Sequence, residues 1–267
     1  MTILVTGARG RVARAAVARL TAAGADVRAA GSDPSATPPL EGVGVIGLDL
    51  ADPASVKAAL DGVDRVFTYA PRGDFGGFLA AAADAGVERV VMLSSIAAAY
   101  PGNPIGDLHL AAENPLRESG IPFTILRPGM FASNSLGWAE SIRAEGVIRS
   151  AFPRVHGTPI HEDDMADVAV TALTGPGHAG KTYALGGPES LDEYDRARII
   201  GEAIGREVRI ELITIEEALA VGYEPVVRAM AEAGTDPLAP GPLSQDVTGI
   251  PSRTFVQWAR DHAGDFR

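Results

Sequence analysis

The sequence predicts an α/β chain in which a parallel sheet is wound on both faces by helices. Three features point there: short runs that are apolar throughout, stretches at helical spacing between them, and Gly or Pro at the junctions. Strands apolar on both faces need cover on both, and right-handed crossovers then give a doubly wound sheet. Residues 3–6 form the first run, too short for a helix and bounded by Gly7. Residues 11–23 carry Val12, Ala16, Val17 and Leu20 at helical spacing and stop at Gly24. Residues 27–30 form a second strand ahead of the turn-rich stretch 31–39, and residues 43–48 a third. Pro53 opens a helix over 53–60, at a position where its missing N–H costs nothing. Strand 63–69, helix 75–85, strand 87–93, helix 108–118 and strand 123–126 complete the alternation.

After about Ser133 the rhythm changes. Helices are expected over 162–173, 191–204 and 215–234, with short strands over 182–185 and 208–212. A Pro/Gly-rich stretch, 236–242, precedes a last helix over 252–263, whose Phe255, Trp258 and Ala259 form an expected docking face onto the main domain. The expected division is therefore a first domain over 1–132 and, over 133–267, mainly a small α/β lobe at the sheet's carboxyl edge, with some elements packing back on the core.

Composition narrows the function. The 267 residues include no cysteine, which excludes disulfide scaffolds, thiol catalysis and thiolate metal sites. Lys and Arg number 23 against 34 Asp and Glu, a net charge of −11, so a nucleic-acid partner is not expected. No apolar stretch approaches the roughly 20 residues needed to span a bilayer. Met1-Thr2-Ile3 leads into the first strand without the pattern of a targeting segment, and a cytoplasmic location without membrane partners is expected.

The most informative segment is Thr6-Gly7-Ala8-Arg9-Gly10-Arg11-Val12-Ala13, lying between the first strand and the first helix. Gly7 and Gly10 allow a tight turn and a close backbone approach to a pyrophosphate, and the small Ala13 lets the helix pack on the strand. The helix start offers unpaired N–H groups and the positive end of its dipole to an anion. A plain strand-to-helix turn would use the same glycines, but strand–loop–helix at the head of an alternating chain favours dinucleotide binding.

The Gly-x-x-Gly-x-x-Ala spacing, together with VVMLSS (90–95), GIPFTILRPG (120–129), HEDDMADVA (161–169) and TGIPSRTFVQWARDHA (248–263), resembles the atypical, NmrA-like branch of the short-chain dehydrogenase/reductase superfamily. The resemblance covers nearly the whole chain. It implies a Rossmann domain with a C-terminal substrate lobe, NADP as the usual ligand, and relatives that act as quinone or azo reductases. It also implies a homodimer as the expected assembly.

Carried over by position, the resemblance places the cofactor against Thr6, Gly7, Arg9, Gly10, Arg11 and Val12 of the loop. It adds Ser32, the pair Asp49-Leu50, the pair Ala70-Pro71, Ser94, and the pair Pro128-Gly129. An NAD site usually has an acidic residue at the end of the second strand for the ribose hydroxyl. Gly31 and Ser32 stand there instead, which permits a 2′-phosphate and hence NADPH. The family's common Arg at the Ser32 position is missing; Arg9 is the cation expected to replace it, with Asp33 close enough to oppose it.

The superfamily's usual Tyr-x-x-x-Lys pair is also missing. His109 stands at the tyrosine position and Glu113 at the lysine position, with Ser95 fourteen residues before His109, a replacement that many NmrA-like proteins share. His109 suits a general acid, Glu113 one turn on is expected to raise its pKa, and Ser95 would polarise a carbonyl. Alternatively His109 and Glu113 form a structural hydrogen bond. Tyr100 is a second candidate donor, on a loop with Pro101. Reduction of a quinone asks less of the protein than alcohol oxidation, because orientation and exclusion of water suffice. Phe131, Trp138 and Phe152 could wall an aromatic substrate, or belong to the core of the lobe. No metal site or nucleophile elbow is found. The expected activity is NADPH-dependent hydride transfer to a small, aromatic or quinone-like organic substrate. The alternatives are a non-catalytic NADP(H)-binding redox sensor, and an isomerase or dehydratase that retains its cofactor.

Overall fold

The computed structural model describes every residue except Arg72, Pro101, Tyr223 and Pro240. The chain begins with β1 (Thr2–Val5), α1 (Arg11–Ala22), β2 (Asp26–Gly31), β3 (Val45–Gly47) and α2 (Pro53–Leu60). It continues through β4 (Arg65–Tyr69), α3 (Phe75–Asp84), β5 (Arg89–Leu93), α4 (Pro104–Glu118) and β6 (Phe123–Pro128). Then follow α5 (Ala139–Glu145), β7 (Val147–Ser150), α6 (Glu162–Thr174), β8 (Lys181–Leu185), α7 (Glu193–Ile204) and β9 (Arg209–Leu212). Helices α8 (Ile215–Val221), α9 (Glu224–Glu232), α10 (Gln245–Thr248) and α11 (Phe255–Asp261) complete the order.

Two compact units divide the chain. The first comprises Met1–Pro128, Glu162–Leu185 and Val247–Gly249. Its seven strands run parallel in the order β3-β2-β1-β4-β5-β6-β8, the doubly wound sheet expected from the sequence. The middle strands are buried on both faces, as their unbroken apolar runs require: Ile3, Leu4, Val66, Phe67, Val90, Val91, Ile125 and Leu126 are inaccessible to solvent. α2, α3 and α4 contribute Val56, Phe78 and Leu116 to one core layer. α1 and α6 pack against each other, and Arg19 of α1 pairs with Asp163 and Asp167 of α6. Arg65 and Arg89, at the starts of β4 and β5, donate to carbonyls at the end of α6, among them Leu173, where helix geometry leaves acceptors unmet. Residues 162–185 lie beyond Ser133, where the sequence rhythm changes, yet belong to this unit, with β8 paired to β6 from Thr124↔Lys181 to Pro128↔Leu185.

The second unit comprises Gly129–His161, Gly186–Asp246 and Ile250–Arg267. Its core joins Ile142, Ile148, Ile199 and Ile200 to Phe255, Trp258 and Phe266. The face of α11 expected to dock on the main domain is therefore buried inside this unit, against α7. The rings of Phe255 and Trp258 stack 5.0 Å apart. α5 and β7 were not expected. The Val-Ile-Arg-Ser of β7 is too short to register as an apolar run, and the strand exists because β9 pairs with it in parallel. The expected helix over 215–234 contains Tyr223, which lies outside the described residues. Before it, α8 ends at Gly222, whose backbone is extended, and α9 follows as a separate helix. α4 begins four residues earlier than expected, because the Asn103 side chain accepts from Ile105 and Gly106 and Pro104 fits the first turn.

Candidate active site

The loop between β1 and α1 folds as its glycines demand. Gly7 takes φ +67°, and Gly10 donates back to the Gly7 carbonyl at 2.7 Å. Gly10 also caps α1, and so offers no side chain to the helix's first N–H groups. Beyond the loop opens a cleft of about 550 Å³ at the carboxyl ends of β1 to β4. Thr6, Gly7, Ser32, Asp49, Leu50 and Pro71 all line it. Thr6 donates to Thr68 at 2.9 Å, tying the ends of β1 and β4 together. Asp49 accepts from the N–H of Ala51, and its own N–H donates to Ser55.

Other residues singled out in the sequence sit differently. Arg9 is exposed, and its charge reaches Asp33. The Asp33 carboxyl is held below its ordinary range, first by the Ser35 hydroxyl at 2.6 Å, then by the N–H of Ala36, with Arg9 adding to the effect. Arg11 is exposed, Val12 is buried, and Ala70 is half-buried with its N–H donating to Leu93. Pro128 ends β6 in the first unit, and Gly129 opens the second. Sequence reasoning missed Asp74, Phe75 and Phe78, which line the cleft from the start of α3, and Tyr69, which closes β4 beside the glycine loop. The available signal for Tyr69 was an aromatic residue ending a buried strand level with that loop.

A second set of residues gathers on one stripe of α4. Gly106, His109 and Glu113 recur at intervals of three and four, so they share a face. A Cβ at Gly106 would lie 2.3 Å from the Ala97 carbonyl oxygen, so that face presses directly on the 3₁₀ turn Ile96–Ala99. Seven residues on, the Glu113 carboxylate receives the Ser94 hydroxyl at 2.6 Å and a two-pronged contact from Arg127 at 2.9 and 2.6 Å. Arg117 adds a contact at 3.1 Å. His109 thus lies between the turn capped by Ser95 and the anchor at Ser94. The Ser95 hydroxyl accepts from Ala97 N–H at 3.2 Å.

The electrostatics depart from the sequence expectation. No hydrogen bond joins His109 to Glu113 among the described residues, and His109 Nδ1 is buried without a partner. Burial pulls the His109 pKa below its ordinary value, and the attraction of Glu113 only partly offsets it. The expected rise fails because desolvation of the imidazolium outweighs the attraction of Glu113. Burial by itself would push the Glu113 carboxyl up, but the hydrogen bonds from Arg127, Ser94 and Arg117 outweigh it and hold the group ionised. The Ser94 hydroxyl is spent on this anchor. Tyr100, the other candidate donor, is 63% exposed, and its neighbour Pro101 lies outside the described residues.

In the second unit, Trp138 lies under the Arg196 guanidinium at 4.8 Å, while Phe131 and Phe152 are half-buried. The acidic start of α6 is engaged with Arg19, and among the described residues no three His, Asp or Glu side chains group as metal ligands. No helix among them is long and apolar enough to cross a membrane.

Residues 7–176 match the NAD(P)H-binding family. The chain belongs to that family. The matched span holds the glycine loop and the VVMLSS, LRPG and HEDDMADVA stretches that carry the NmrA-like resemblance, so motif and fold agree. A (4-alkanoyl-5-oxo-2,5-dihydrofuran-3-yl)methyl phosphate reductase from Streptomyces griseus is 37% identical, over 99% of each chain. An NAD(P)H azoreductase from Xenophilus azovorans is 35% identical, again over 99% of each. The crystal structure of an NADPH-dependent quinone oxidoreductase from Escherichia coli superposes with a TM-score of 0.80, covering 97% of this chain and 98% of that one at 23% identity, and shows the same fold.

The residues present fit a dinucleotide. At two glycines the loop has no Cβ atoms of its own, Ala13 keeps α1 against the sheet, and the start of α1 receives no capping side chain from Gly10.

Proposed function

We propose that this NAD(P)H-binding chain is an NADPH-dependent reductase of small, electron-poor, conjugated acceptors such as quinones, azo compounds or unsaturated lactones. The observation that carries the proposal is the glycine cradle at the start of α1, opening into a cleft along the carboxyl ends of the strands. End-to-end similarity to a furanone phosphate reductase and an azoreductase supports the acceptor class. Gly31 and Ser32, where an acidic residue would repel a 2′-phosphate, support NADPH over NADH, and exposed Arg9 is the cation available to it.

Bound NADPH supplies the hydride; the protein supplies position and polarity. The cleft residues Leu48, Leu50 and Phe78 offer apolar walls to the flat parts of the cofactor. The Ser95 hydroxyl accepts from the backbone, so its own hydrogen is available to the acceptor's oxygen or nitrogen. His109, on the same face of α4 as Gly106 and Glu113, is kept neutral at pH 7 by burial and is the ring able to donate one hydrogen bond as negative charge develops. A proton drawn from water by way of Ser95 or His109 would balance the hydride that the bound cofactor would supply. Glu113 holds Ser94 and the end of β6 in place and stays ionised throughout. It is a positioning residue.

The test follows NADPH consumption by the purified protein against a panel of naphthoquinones, azo dyes and butenolides. Consumption that depends on one acceptor class, and falls at least tenfold in Ser95→Ala, is the expected result. No acceleration by any of the three classes would overturn the proposal.

A further inference from the structure

Tyr69 ends β4 with its side chain over the glycine loop. A Cβ placed on Gly7 would meet its ring at 2.6 Å, and one placed on Gly10 would meet its hydroxyl oxygen at 2.2 Å. That oxygen accepts from the N–H of Ala13 at 3.1 Å, and the Val12 N–H is directed at it as well. Phe67 braces the ring edge-on, with centroids 5.8 Å apart. The Tyr69 hydroxyl therefore does for α1 what a capping side chain would do. An anion seated at this helix start needs the same N–H groups, on the same side of the same glycines. A phenol oxygen and a phosphate oxygen cannot both occupy that position.

We infer that Tyr69 is a built-in occupant of the pyrophosphate subsite, a gate that a dinucleotide displaces as it seats. The inference rests on the NADP(H) reading of the cleft and adds a residue that sets its affinity. The exchange runs forward because a pyrophosphate brings charge and several acceptor oxygens, whereas the phenol brings one neutral acceptor. Burial pushes the Tyr69 phenol up to about 12, so it stays uncharged at working pH and remains the weaker ligand. The displaced hydrogen bonds are still subtracted from the cofactor's affinity: the competent arrangement is a fraction of the population, and the apparent Kd rises as that fraction falls.

Tyr69→Phe keeps the ring and removes the competing oxygen. Calorimetric titration with NADPH, and separately with inorganic pyrophosphate, compares the variant with the unmodified protein. Both ligands are expected to bind the variant about three- to tenfold more tightly, the factor one net neutral hydrogen bond is worth. The variant is also expected to melt at a lower temperature before ligand is added, because two helix-start N–H groups have lost their acceptor. Pyrophosphate should further produce a tyrosine ultraviolet difference spectrum in the unmodified protein that is missing in the variant. Unchanged or weaker binding by Tyr69→Phe, with normal binding by the unmodified protein, would overturn the gate and make Tyr69 a permanent cap or a direct contact. Failure of the unmodified protein to bind any dinucleotide would overturn the cofactor reading, and the gate with it.

Discussion

Glu113 is the residue whose removal the structure prices most clearly. Its carboxylate is fully buried, whereas the Arg127 and Arg117 side chains that serve it are 17% and 36% exposed. Glu113→Ala takes four hydrogen bonds away and leaves the Ser94 hydroxyl without its acceptor inside the core. Breaking a buried pair by removing one partner costs about 3–5 kcal/mol. Arg117, the more exposed partner, relaxes into water and adds little, and Arg127 recovers part of its hydration, so the lower half of that range applies: about 3–4 kcal/mol. For a chain of this length that corresponds to a fall of about 10 °C in Tm, at roughly 2–4 °C per kcal/mol. The assay is urea unfolding followed by circular dichroism, run on Glu113→Ala, Arg127→Met and the double variant. Because the cost is mostly that of stranded charge, the double variant should lose less than the two single losses added together, with a coupling of about 2 kcal/mol. Additive losses, or a loss under about 1 kcal/mol for Glu113→Ala, would refute the argument that this carboxylate is the electrostatic anchor of β5, β6 and α4.

Three further expectations follow from the same geometry. Gly106→Ala places a methyl 2.3 Å from the Ala97 carbonyl, so α4 must shift. A loss of about 1–3 kcal/mol in denaturation is expected, together with reduced turnover because His109 moves with the helix. Arg9→Ala should weaken NADPH binding about tenfold while leaving NADH unchanged, as charge-assisted contacts to a 2′-phosphate predict, and Asp33→Ala should act in the opposite direction; calorimetry with both cofactors decides. His109 has a folded pKa below its unfolded value, so its contribution to stability is present above about pH 6.5 and is lost as pH falls from there through the folded pKa. Melting curves between pH 7.5 and 5 should therefore slope less steeply in His109→Gln, and an unaltered slope would mean the ring titrates freely.

The apolar runs at 3–6, 63–69, 87–93 and 123–126 could only be strands buried on both faces, so a parallel, doubly wound sheet followed from the pattern of hydrophobic residues. The glycine loop was equally legible, because Gly at 7 and 10 ahead of a helical repeat answers a local backbone requirement. Local information fails where partners are remote. β7 exists because β9 lies beside it, more than fifty residues later in the chain, and Phe255 and Trp258 face α7, a choice their spacing cannot express. The site divides in the same way. Sequence spacing put His109 and Glu113 on one helical face, and from that a raised histidine pKa seemed to follow. Tertiary packing reversed its sign: burial of the imidazole penalises its protonated form by more than the nearby Glu113 favours it, while the carboxylate's own hydrogen bonds go to Ser94, Arg117 and to Arg127 arriving from β6. Tyr69 shows the same limit, since nothing in Val-Phe-Thr-Tyr says that the last ring turns over the loop and lays its hydroxyl on the first N–H groups of α1. Periodicity and backbone conformation are properties of neighbours in sequence, and the sequence by itself determined them. Ion-pair partners, desolvation and the direction of a side chain at a strand end depend on what the fold brings across the sheet, and only the tertiary structure decided them.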